Sequence, residues 1–72
     1  MFTLTIETTD KNRMDDIENA YNAALLTNYL NDFMLVLEEN IGDSEVGRGS
    51  NHIWIHDTKT DKRLATISNI GQ

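Results

Sequence analysis

Two histidines and a tryptophan, His52, Trp54 and His56, alternate along the segment His52 to Asp57. Alternation at period two puts all three on one face of a strand, with the two histidine Cα atoms about 6.5 Å apart. Two imidazoles can begin a metal site, but a third ligand is needed and Trp54 stands between them. Ser44, Ser50, His52, His56 and Asp57 are residue types that serve nucleophilic catalysis, yet no nucleophile elbow or triad pattern surrounds them. Carboxylates are adjacent at Asp15-Asp16 and at Glu38-Glu39, but neighbours on a helix point in different directions, so neither pair forms an acid/base couple. Gly42, Gly47 and Gly49 lie close together without a following Gly-Lys-Ser/Thr, and they lead into a strand instead of a helix N-terminus, which is the wrong geometry for a phosphate cradle. These residues predict a non-enzymatic protein with no metal and no cofactor.

Charge is the more informative feature. The chain carries a formal net charge of −6, and no Lys or Arg lies between Arg13 and Arg48, while Asp15, Asp16, Glu18, Asp32, Glu38, Glu39, Asp43 and Glu45 all fall inside that interval. A field of this sign repels nucleic-acid phosphates and anionic membranes, and it favours solubility or a basic protein partner. The expectation is therefore no direct nucleic-acid binding, no membrane, and a docking surface made of those eight acids. Part of the block has a plainer use, because Asp15, Asp16 and Glu18 sit in the first turns of a helix, where the macrodipole favours anions. Trp54 joins the partner-binding set: with Ile53 and Ile55 facing a core it is left on the outer face, and Trp is enriched among interface hot spots.

The elements that would hold these residues follow from periodicity. Phe2, Leu4 and Ile6 alternate with Thr3, Thr5 and Glu7, predicting a strand over residues 2–8. A polar break follows, in which Asp10 or Asn12 can cap the next helix. From Arg13 to Asn40 strong helix formers recur, and no Gly or Pro interrupts them. At 100° per residue this stretch shows two apolar stripes, one with Met14, Ile17, Tyr21, Ala24, Leu25 and Leu35, the other with Leu26, Leu30, Phe33, Leu37 and Ile41. One sheet can cover only one of them. Either the second stripe packs on another copy of the chain, or the helix breaks near Thr27 and Asn28 so that both stripes reach one core, or Phe33 to Leu37 is itself a buried strand. Gly42 ends the helical region, residues 42–51 read as a mobile loop, His52 to Asp57 and Arg63 to Ser68 form a hairpin across a turn at 58–62, and residues 69–72 fray.

Together these elements predict one α+β domain over residues 1–72, of order β-α-β-β, with a small antiparallel sheet and one long or broken helix packed on one face. A chain of this length buries only about 60% of its unfolded surface. With no Cys to supplement the core, oligomerisation is the remaining aid, and the second stripe predicts a homodimer through Leu26, Leu30, Phe33 and Leu37. Nothing in the sequence reads as a secretion signal or a membrane span, which predicts a cytoplasmic location.

Small, Cys-free acidic proteins with a strand-helix-hairpin plan are what is expected of phage-encoded or mobile-element inhibitors of host nucleases, anti-CRISPR proteins among them, an analogy of size and charge alone that no motif in this sequence carries further. On that analogy the expectation is a small inhibitor whose acidic surface imitates nucleic-acid charge, or simply complements a basic groove, on a nucleic-acid-handling protein. The alternatives are a homodimeric structural or assembly subunit and an antitoxin-like regulatory module.

Overall fold

In the computed structural model, which describes residues 2–71, the order of elements is β1 (Thr3–Ile6), α1 (Lys11–Ala24), α2 (Leu30–Asn40), β2 (Ser44–Arg48), β3 (His52–Asp57) and β4 (Arg63–Ser68). The four strands make one antiparallel sheet in the order β1-β4-β3-β2, so the first strand pairs with the last, and both helices lie on the same face. The α+β class and the β3–β4 hairpin agree with the sequence. The expected β-α-β-β order does not, since the chain runs strand, two helices, three strands, and of the three readings of the helical stretch the one long helix fails and the break near Thr27 and Asn28 is found.

Asp10 opens α1, its Oδ1 accepting the Asn12 and Arg13 amides at 3.0 and 3.4 Å. The helix ends because Thr27, β-branched and poor for helix propagation, turns both its amide and its hydroxyl onto the Ala24 carbonyl, at 3.0 and 2.7 Å. After the elbow 25–29, α2 starts with no side-chain cap, but with Asp32 in its first turn.

The break resolves the two stripes. Ile17 and Leu35 are 18 residues apart, five full turns, and would share a face on one continuous helix. Instead Ile17 is buried, whereas Leu35 is 52% exposed. Ile17, Ala20 and Ala24 from α1 and Phe33, Leu37 and Ile41 from α2 and its end meet Ile53, Ile55, Ala65 and Ile67 of the sheet in one core.

The glycine-bearing segment is the second departure, for part of the stretch expected to be a loop is the edge strand β2. Val46 pairs with Ile55 and Gly47 with Trp54. The Ser44 hydroxyl bonds the Ile41 carbonyl, and a tight turn closes at Gly49, whose amide donates to the His52 carbonyl at 2.8 Å. One apolar residue is too weak a local signal for a strand, and pairing with β3 supplies the rest. The tail is also held down. The Asn69 amide donates to the Thr3 hydroxyl, the Gly71 N–H donates to the Asn51 side chain, and Ile70 packs against the core. The expectation for Gln72 lies outside the described residues. Among the described residues no helix is long and apolar enough to cross a membrane.

Candidate functional site

The eight acids divide by position. Asp15, Asp16 and Glu18 on α1 and Asp32, Glu38 and Glu39 on α2 are exposed on the helical layer, and among the described residues none of the six makes an ion pair. Asp15, Asp16 and Glu18 lie beyond the first turn of α1, because the helix begins at Lys11 and no acid falls in that turn. The macrodipole acts mainly within the first turn, so helix-start electrostatics explains little of them. Asp43 is at the α2–β2 corner, 3.3 Å from the exposed Lys59 ammonium, a contact worth little in water. Glu45 pairs with His56 across β2 and β3 and belongs to the opposite, outer face of the sheet. Six of the eight are thus exposed on the two helices, with Glu18 on the flank of α1 that borders Leu4 and Ile6 of β1.

Two bases lie on the helices, Lys11 exposed at the first residue of α1 and Arg13 two residues on, and the second does not dilute this field. Arg13, on the first turns of α1, folds inward: Nη1 donates to the Gly42 carbonyl, and Nη2 donates to the Asp43 carbonyl at 3.1 Å and to Asp57 Oδ2 at 2.9 Å. One side chain therefore ties the start of α1 to the α2–β2 corner and to the end of β3. The signal available in the sequence was its isolation, one base at the head of a long acidic run. The cleft beside it carries both signs, with Glu7, Asp10 and Asp57 against Arg13, Lys62 and Arg63, so it presents no uniform field to a small ion.

The Arg13 guanidinium, with the Thr60 and Lys59 amides, holds the Asp57 carboxyl at about 2, below the ordinary 3.8. A folded-state value below the unfolded one stabilises the fold fully above the unfolded value, and that contribution disappears as pH falls through the folded value. The urea midpoint of the wild type is therefore expected to drop between about pH 4 and pH 2. Arg13→Ala should lower the midpoint at neutral pH and flatten the profile in that window; a profile parallel to the wild type would show that the clamp contributes nothing.

Helices cover the inner face of the sheet, and the outer face carries Trp54. The indole is half-buried. His52 stacks on it with centroids 5.9 Å apart and 11° between planes, and the Arg63 guanidinium lies 5.9 Å from the ring. The ring also lies across the end of β2, since a Cβ at Gly49 would sit 2.8 Å from Trp54 Cη2. Trp54 is thus tied into its own sheet, its ring covering Gly49 just beyond the end of β2.

The residue types of catalysis do not converge. The Ser44 hydroxyl is turned to a backbone carbonyl, Asp57 is occupied by Arg13 and two amides, and His52 is stacked on Trp54. Among the described residues no three His, Cys, Asp or Glu groups are placed to share a metal ion.

No family model, no curated protein and no solved structure matches the chain.

The four residues expected at a dimer interface also separate. Phe33 and Leu37 are buried in the core of their own chain and Leu30 is half-buried against it, leaving Leu26, 85% exposed, as the one member fully open to a partner. The break at the elbow covers Phe33 and Leu37 as a second copy would have done. Tyr29, 73% exposed beside Leu26, was not singled out by the periodicity because it falls in the elbow, outside either helix.

Proposed function

We propose that this protein is a small, non-enzymatic binding protein, an inhibitor of the phage or mobile-element kind acting in the cytoplasm, whose acidic helical layer docks on a basic surface of a nucleic-acid-handling partner protein. The observation that carries the proposal is the set of six exposed carboxylates on α1 and α2, Asp15, Asp16, Glu18, Asp32, Glu38 and Glu39, without ion partners among the described residues. Of the two bases on those helices, Arg13 is drawn away into the fold and Lys11 stands exposed at the first residue of α1. Fixed negative charges on a rigid layer of helices complement a groove built to hold phosphates, and they steer association at a distance. Trp54 and Glu45, on the other face of the sheet, are left out of this surface, and Asp43 is at its border.

The expected signature is ionic. Affinity for a basic partner isolated from host lysate should fall steeply from low to high salt, and double-stranded DNA should compete with the protein for the partner's groove. Affinity that is indifferent to salt would reduce the acidic layer to a solubility device.

A further inference from the structure

We propose that the chain forms a two-fold symmetric dimer through the elbow between α1 and α2, with Leu26 of each copy seated in a cleft beside Tyr29 of the other. Among the described residues Leu26 and Tyr29 are the two most exposed of the large apolar side chains, at 85% and 73%, and only two residues separate them in the chain. Beside them opens a cleft of about 130 Å³ in which Phe2, Tyr29, Leu30, Phe33 and Ile70 supply the apolar lining, and Thr27 and Asn28 of the elbow complete it. An apolar cavity of about 150 Å³ accommodates a benzene-sized group, so this cleft takes one branched aliphatic side chain. The elbow therefore carries both a projecting apolar group and an apolar recess of matching size.

The knob and its matching recess on one elbow fit a second copy, and the charge pattern argues against a basic partner there. From Leu25 to Asn31 there is no charged residue, in a chain of net charge −6 whose helices otherwise present carboxylates. A basic protein would be drawn to those carboxylates and would gain no electrostatic attraction at the elbow. A second copy is repelled by the acidic layer and meets an uncharged surface at the elbow. Because knob and recess are neighbouring but distinct, a two-fold axis between them puts each Leu26 in the other copy's cleft, an isologous contact that closes on itself. The contact would bury two exposed leucines and two exposed tyrosines per dimer. This inference does not rest on the acidic-layer proposal, and its salt dependence is opposite: screening relieves repulsion between two acidic copies, so the dimer tightens as salt rises.

Sedimentation equilibrium of the full chain, from low micromolar to millimolar concentration at low and at high salt, tests the proposal. The average mass should rise from the 8.2 kDa of one chain toward twice that value, and more readily at high salt. Leu26→Asp, at a site that contributes almost nothing to the fold of one chain, should weaken the association by about a hundredfold or more, given the burial lost on both copies. Leu35→Asp, at an exposed apolar site away from the elbow, should leave it unchanged. A wild-type chain that remains monomeric at millimolar concentration and high salt would overturn the proposal, as would a dimer that survives Leu26→Asp or is abolished by Leu35→Asp.

Discussion

Phe33→Ala is expected to unfold the protein at any concentration. Phe33 is 3% exposed and sits where the two helices and the start of the chain meet, edge-on to Phe2 with centroids 5.2 Å apart and to Tyr21 at 6.2 Å. Truncating a buried Phe costs about 3–5 kcal/mol through lost burial and the cavity left behind, and aromatic pairs of this geometry are worth about 0.5–1.5 kcal/mol beyond their area. A single core in a domain below about 70–80 residues rarely supplies more than about 3–5 kcal/mol in total. The loss is therefore as large as the stability itself. Far-UV circular dichroism at two widely separated protein concentrations would show it. Phe33 acting across an interface between copies would leave a folded monomer when dilute, and a variant with wild-type helicity and thermal midpoint would refute its place in the intrachain core.

Reversing Glu38 and Glu39 to Lys should have the largest effect on partner binding and almost none on the fold. Both side chains are exposed near the C-terminus of α2, a helix with no basic residue in its last turn. Cations are favoured there by about 0.3–1 kcal/mol, so the double variant should melt at the wild-type temperature or slightly above it. Binding to the basic partner should nevertheless collapse. Electrostatic steering accounts for roughly 10- to 1,000-fold in association rate, and like charges brought together at an interface are repulsive as well. Stopped-flow or surface-plasmon measurements at low salt should place the loss mainly in the association rate. If binding survives reversal of Asp15, Asp16, Asp32, Glu38 and Glu39 together, the layer serves only solubility.

Whatever depends on near neighbours in the chain was legible beforehand. Alternation in Thr3–Ile6 and His52–Asp57 marks two strands because successive side chains must point to opposite faces, and the polar break with Asp10 and Asn12 marks a helix start, of which the structure uses Asp10, whose carboxylate reaches amides two and three residues on. The acidic run is a property of the composition and needs no fold to be seen. The phase of the second helix was not legible, since a turn of a few residues near Thr27 rotates everything after it and moves Phe33 and Leu37 into the same core as Ile17. Periodicity within each helix is unaffected by that rotation and cannot report it. Likewise β2 exists because β3 offers it a partner and the Trp54 ring covers Gly49, and Arg13 is withdrawn from the acidic layer because residues 29 to 44 positions away come within its reach. These contacts are long-range, and only the closed tertiary structure decided which acids stand free and which apolar side chains, Leu26 and Tyr29, are left in water.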